Sequence, residues 1–284
     1  MVVDKPAGIT SHDAVARCRR ALGQRQVGHG GTLDPSATGV LLVGAGAATR
    51  LLRFLSALPK TYEGEVVLGV ETTTLDADGE VVATHDMAGV TLDEVRKAAT
   101  RFLGEIDQVP PMVSAVKVGG RRLHELARAG VEVERAARPV AVHRFDVDPG
   151  PEAGVVRISV DCSAGTYVRA LAADLGAALG GGAHLRRLRR TAVGSFTVAD
   201  ARPLDDVGPE ALLPPAEAVR HLPAVVVDAE TAATVVHGVV LGREAGPFEG
   251  DGPWAVLDGA GALLAVYEAR TSDRAKPTVV LAAG

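Results

Sequence analysis

The chain has 284 residues, 47% hydrophobic and 23% charged, enough for one large domain with a small companion. It holds no run of about 18 apolar residues, and its start, Met1 to Gly8, lacks the basic flank and apolar run of a signal peptide; this excludes a helical span and gives a cytoplasmic expectation. The net charge of −5 hides a segregation, with +5 over residues 1–60 and +4 over 111–145 against −8 over 61–110 and −6 over 201–284, as in a protein that grips one polyanion on local basic faces.

In chain order, Val2–Val3 opens a strand that runs into the turn Lys5-Pro6-Ala7-Gly8. Ser11 is placed to cap a helix reaching Leu22, with Val15, Cys18 and Leu22 on one face and Arg17, Arg19 and Arg20 outside. Val40–Val43 reads as a buried strand and Ala47–Leu58 as a helix stopped by Pro59. Tyr62–Val70 alternates like a strand, and the turn Asp76-Ala77-Asp78-Gly79 leads to another at Val81–Thr84. Thr91 and Glu94 form a capping box for a helix ending at Gly104. A hairpin around Gly119-Gly120 and a short helix, Leu123–Ala129, follow the irregular Val109-Pro110-Pro111. Val140–Val147 and Val155–Cys162 are strands, Thr166–Leu179 a helix, and His184–Arg190 with Val193–Val198 a strand pair. A proline-dotted linker, Pro203–Pro223, precedes a tail with strands near Val225, Trp254, Leu263 and Thr278. The order is no regular βαβ alternation, so the fold class is α+β with a mixed or antiparallel central sheet and flanking helices. The expected domains are residues 1–221 and a small β-rich domain, 222–284, packed on the first.

Several familiar sites drop out. Gly28-His29-Gly30-Gly31 lacks the Gly-Lys-Ser/Thr ending of a P-loop, and Gly44-Ala45-Gly46 lacks the third glycine of a dinucleotide site. Ser11-His12-Asp13 are adjacent, and adjacent residues cannot point at one another as a triad must. The eight histidines show no HxH or HxxxH pairing, and Cys18 and Cys162 sit in no CxxC spacing, so no metal site is expected and both cysteines read as free buried thiols.

Three segments remain. In Gly28 to Gly39, Asp34 follows a glycine-rich stretch and precedes a rigid proline; it either projects into a cleft or only ties its loop. In Cys162 to Arg169 a strand ends, Gly165 turns, and Tyr167 with Arg169 enters a helix; they are either cleft residues or a core tyrosine beside a solvated arginine. Lys60-Thr61-Tyr62 puts an aromatic at a strand start, where a lone tyrosine is usually core.

Together these segments resemble the TruB family, the tRNA pseudouridine-55 synthases. The resemblance runs over most of residues 1–200. It takes in Asp4 to Ser11, the Gly28–Gly39 loop, Lys60-Thr61-Tyr62, Asp76 to Gly79, Pro110 to Lys117, Cys162 to Arg169 and Gly182 to Leu185. It implies an isomerase that flips a T-loop uridine of tRNA and converts it to pseudouridine without cofactor or metal, as a monomer. It makes Asp34 the catalytic aspartate, Arg169 its ion-pair partner and Tyr62 a third catalytic residue, the ring that stacks on the target base and a candidate general base. His29 would fill the gap left by the flipped nucleotide or hold the flipped bases; Tyr167 and Leu188 would line the pocket. Lys5 and Pro6 would support its wall, and residues 114–139 would be a thumb clamping the RNA arm. Arg17, Arg19, Arg20, Arg25, Arg186, Arg187, Arg189 and Arg190 are candidate phosphate contacts or solvated surface charges. The resemblance to the RNA-binding PUA fold in the tail is loose. Two alternatives share the core: a guide-RNA-dependent synthase subunit, and a tRNA-binding folding factor with weak or no catalysis.

Overall fold

The computed structural model describes all residues except 115, 124, 125, 127–129, 132 and 282–284. The expected helix 123–129, Arg128 included, therefore falls largely outside the described residues. Among them, no helix is long and apolar enough to cross a membrane. The chain forms two compact units, one of Met1–Asp34, Val40–Ala57 and Gly194–Gly284, the other of Pro35–Gly39 and Leu58–Val193.

In the first unit, β1 (Val2–Lys5) lies between β14 (Arg202–Pro203), which it pairs in parallel, and β3 (Thr38–Ala45). A three-residue strand, β2 (Val27–His29), pairs antiparallel with β3. Helix α1 (Ser11–Leu22) buries Ala14, Val15 and Cys18 against Val3, Leu41 and Val43. Its N-cap is Thr10 and not Ser11 as expected. Thr10 Oγ1 accepts from Asp13 N at 3.1 Å and Thr10 N donates to Asp13 Oδ2 at 2.9 Å. Both residues carry a hydroxyl; the acid three positions on decides for Thr10 and frees Ser11. The helix expected over 47–58 is a 3-10 segment, Gly46–Leu51, followed by a short α2, Leu52–Ser56, and Ala45 before it makes no side-chain cap bond.

The tail of this unit is β-rich, as expected. Strands β15 (Ala224–Val226), β16 (Leu241–Gly242), β17 (Trp254–Leu257), β18 (Leu263–Ala269) and β19 (Arg274–Val280) form a sheet in the order β15-β17-β18-β19-β16. Trp254 and Tyr267, both fully buried, anchor one face with Phe248; Trp254 Nε1 donates to Glu249 O and Tyr267 Oη to Val239 O. Ala255, Leu263, Val266 and Val279 pack on Leu51 and Val219. A chain of about sixty residues, marginal alone, thus gains a second core.

The second unit is built on β12 (Ala183–Val193), β4 (Lys60–Leu68), β11 (Val155–Cys162), β10 (Arg138–Pro149) and β7 (Gly104–Gln108), an antiparallel run in that order. The first residues of β3 add in parallel to β12, so the sheet is mixed and the α+β class holds. A hydrogen-bonded pair, β5 (Val70–Thr72) and β6 (Val81–Thr84), follows β4. A small hairpin joins β8 (Lys117–Val118) to β9 (Arg121–Arg122). Helices α3 (Leu92–Ala99) and α4 (Val168–Ala178) pack on β10 and β12, respectively. Where two separate strands were expected around 184–198, β12 continues for eleven residues through bulges after Leu185 and Arg190, and β13 (Phe196–Thr197) pairs with it. Cys18 and Cys162 are buried free thiols.

Candidate active site

In the first unit the glycine-rich loop serves close packing. Gly28 and Gly44 face each other across β2 and β3, and a Cβ on either would lie 3.2 Å from Leu52 side-chain atoms. Gly30 N extends the ladder by donating to Leu42 O at 2.8 Å. His29, half-buried, pairs with Val43, so its backbone is fixed. Its ring meets the exposed His12 edge-on, with centroids 5.3 Å apart. Leu33 is buried, and one hydroxyl holds both its backbone groups: Ser11 Oγ accepts from Leu33 N at 2.8 Å and donates to Leu33 O at 3.0 Å. Asp34, half-buried, is the next residue and the last of this unit's first segment. Lys5 is wholly buried, and its Nζ donates to Pro6 O and Ile9 O, each at 2.8 Å, which fixes the turn containing the exposed Pro6.

The second unit carries the other expected residues. Tyr62 is buried at the start of β4, with Val160 of β11 and Arg190 of β12 opposite it. Leu188, half-buried on β12, lies opposite Gly64. Gly39 of β3 sits where β12 passes: its φ is 103°, and a Cβ there would lie 2.2 Å from Arg190 O. Tyr167 is the N-cap of α4. Its N–H donates to Gln108 Oε1 at 2.7 Å, and its carbonyl accepts from Gln108 Nε2 at 3.1 Å. The buried Gln108 thereby sets where α4 begins.

Arg169 is no solvated arginine; only 3% of it is exposed. Its Nη1 donates to Thr74 O at 3.0 Å and contacts Asp76 Oδ2 at 3.1 Å, while Nη2 donates to Val113 O at 2.8 Å. Asp76, read from the sequence as a turn residue, is a buried ion-pair partner. Its Oδ1 accepts from Thr74 Oγ1 and from Asp78 N, and its loop is bridged to Leu185 of β12. The Asp-Ala-Asp-Gly turn signal was local; the burial and the arginine come from 93 positions further along the chain.

The expected phosphate contacts differ in setting. Arg186 is held by Glu65 and Glu152, and Arg187 is largely exposed with Glu65 Oε2 3.8 Å from its Nε. Arg19, Arg20 and Arg25 line an open cleft with Gly23 and Gln24 at the end of α1. Arg190 is buried beside Lys60, whose ammonium is lowered to about 8, first by burial and then by Arg190.

The first unit anchors a carboxylate-bearing loop; the second holds a preoriented guanidinium and carries Tyr62 on a rigid sheet. The chain is similar to known proteins. Residues 19–168 match the TruB family pseudouridylate synthase N-terminal domain, and residues 169–234 match the tRNA pseudouridylate synthase B C-terminal domain. The tRNA pseudouridine synthase B of Symbiobacterium thermophilum is 54% identical over 240 residues, 83% of this chain and 80% of that protein. That of an Arthrobacter species is 47% identical over 294 aligned positions, 99% of this chain and 96% of that protein. Among solved structures, a crystal structure of a Cbf5-Nop10-Gar1 complex matches with a TM-score of 0.75 at 29% identity, covering 100% of this chain and 83% of that one. A structure of an H/ACA RNP bound to a substrate RNA containing 2′-deoxyuridine matches at 0.74 and 27%, covering 99% and 83%. The chain belongs to the TruB family of pseudouridylate synthases.

Proposed function

We infer that this chain isomerises uridine to pseudouridine in tRNA, with the T-loop uridine of position 55 as its target and a monomer as the working form. The observation that carries this reading is the family match: the two matched segments together run from residue 19 to 234 and include Asp34, Tyr62 and Arg169. The reaction breaks the N1–C1′ bond, turns the uracil and joins C5 to the same C1′; the C5 proton is lost and N1 gains one. Nothing is oxidised and no group leaves, so the chemistry calls for positioned protein groups and a way to hold the detached base.

Asp34 starts the reaction, either by adding to C1′ or by taking a sugar proton to release the base. Arg169 acts as its ion-pair partner, keeping the carboxylate charged in a desolvated site. What supports that role is the anchoring of Arg169 through Thr74, Val113 and Asp76, which leaves its planar fork no freedom to drift. Tyr62 stacks on the uracil while it turns, and Tyr167 and Leu188 close the pocket around it. His29 takes the place of the flipped nucleotide in the RNA. Lys5 and Pro6 brace the wall, and exposed arginines hold phosphates.

The test is tritium release from C5-labelled uridine in unmodified tRNA with no cofactor added. Release at one equivalent per tRNA, lost when U55 is replaced by cytidine, is expected. Release only when a guide RNA is supplied would favour the guide-dependent alternative, and tight binding without release the folding-factor one.

A further inference from the structure

We propose that the first turn of α1 is a positioning device for the reaction, with Ser11 setting the backbone that carries Asp34 and His12 setting the ring of His29. The proposal rests on the roles given above to Asp34 and His29.

The sequence gives Thr10 and Ser11 the same chemistry, and the helix needs only one of them. Thr10 closes the capping box with Asp13, so Ser11 is not required to start the helix. Its hydroxyl instead spans 22 positions of sequence to Leu33, accepting at 2.8 Å and donating at 3.0 Å. One oxygen thus satisfies both the N–H and the C=O of the residue immediately before Asp34. Ser11 is 1% exposed and Leu33 4%, so no water stands ready to replace these bonds. With Pro35 restricting Asp34 from the other side, the two backbone bonds to Ser11 fix where the carboxylate starts from.

The neighbouring residue does a second job. His29 has its backbone set by the ladder to Val43, so where its imidazole points is decided at the side chain. The His12 ring meets it at an interplanar angle of 90°. Edge-to-face contact is the favoured geometry for an aromatic pair and restrains how that side chain turns. His12 is exposed, so it has no core to fill. Helix α1 is itself held down by Ala14, Val15 and Cys18, and both contacts therefore come from a rigid element.

A displacement of a reacting group by about 1 Å can cost on the order of a hundredfold in rate. Ser11→Ala should therefore lower the single-turnover rate of tritium release by about ten- to hundredfold, with tRNA Kd within about threefold of wild type. A lower melting temperature with a rate within about twofold of wild type would show a structural tie alone and overturn the claim. Should the alanine variant not fold, Ser11→Thr and Ser11→Val carry the test, since they share one shape and differ only in the hydroxyl. Threonine at least about tenfold faster than valine is expected; equal rates overturn it.

For His12 the signature is different. His12→Ala should raise KM for tRNA about tenfold with kcat within about threefold, and His12→Phe, which keeps a ring edge, should recover most of the loss. An unchanged KM in His12→Ala, or a phenylalanine variant no better than alanine, removes His12 from the device. An active Asp34→Asn enzyme would sink the underlying assignment, whereas a silent Ser11→Ala beside an inactive Asp34→Asn sinks the positioning claim only.

Discussion

Two anchors, one in each compact unit, are secured by opposite means. In the first, the backbone before Asp34 is tied by a small neutral hydroxyl, Ser11. In the second, Arg169 is tied by charge: an ion pair to Asp76 with side chains 4% and 11% exposed, plus two backbone carbonyls. Orphaning a buried neutral donor or acceptor costs about 1–3 kcal/mol, whereas stripping one partner from a buried ion pair costs about 3–5 kcal/mol because the other charge is left behind. Losing the hydroxyl in the first unit should therefore appear as lost rate with a smaller loss of stability. Damage in the second should appear as lost rate and lost stability together.

The largest effect belongs to the residue that the first anchor carries. Asp34→Asn keeps the shape of the side chain and removes the anion. We expect tritium release to fall about 10²–10⁴-fold or below detection, while tRNA binding and the thermal melt stay close to wild type. Turnover within tenfold of wild type would sink the assignment of Asp34.

Asp76→Asn tests the second anchor. It leaves Arg169 buried without its carboxylate, so urea unfolding should report a loss of about 3 kcal/mol, and the rate should fall because the guanidinium is no longer held. Arg169→Lys keeps the charge but replaces a fork that reaches Thr74, Val113 and Asp76 with a single ammonium. Its rate should be well below wild type. If Asp76→Asn unfolds at the same urea concentration as wild type with the same slope, the contrast between the units is wrong.

A smaller effect concerns charges that do neither job. Arg20 and Arg25 are exposed in the cleft at the end of α1. Near a helix C-terminus each adds about 0.3–1 kcal/mol at most through the dipole. If they also meet phosphates, Arg20→Gln and Arg25→Gln should each flatten the log–log salt dependence of tRNA binding by about 0.7–0.9, leaving kcat alone. Unchanged slopes would return both residues to the helix end.

What the sequence made legible follows from how local each signal is. Strands β4 and β11 announce themselves by alternation or a β-branched run, and both lie inside the sheet. Edge strand β7 has one large apolar residue in Gly-Glu-Ile-Asp-Gln, and β2 is a three-residue Val-Gly-His, so neither carries a pattern to read. The site divides in the same way. Asp34, Tyr62 and Arg169 stand in short distinctive segments. Asp76 and Gln108 do not: an aspartate in a turn and a glutamine ending a polar strand gain their significance only when the fold brings Arg169 and Tyr167 to them. Ser11 was visible as a hydroxyl near a helix start; its bond to Leu33 was not, because nothing local specifies a partner 22 positions away.

A last effect extends the contrast to pH. Lys60 lies beside Tyr62 on β4, 6% exposed, with its Nζ donating to Leu58 O at 2.6 Å. Burial first, then Arg190, lowers its ammonium from 10.5 to about 8. Between those values the unfolded chain holds a proton that the folded one has released, so stability should rise with pH across this window. Below about 8 the fold carries the cost of a buried ammonium, on the order of 1–3 kcal/mol. Cys162, whose thiol burial pushes up from 9.0 to about 11, acts in the opposite sense. From about 9 the folded state keeps a proton that the unfolded chain has lost, and stability falls. The rise from Lys60 should therefore be clearest between pH 8 and 9. Urea titrations at half-unit steps would show it in wild type, steeper at high pH in Cys162→Ala, and absent in Lys60→Met. A Lys60→Met protein whose stability climbs as steeply as wild type from pH 8 to 9 would mean that this lysine keeps its ordinary charge in the fold.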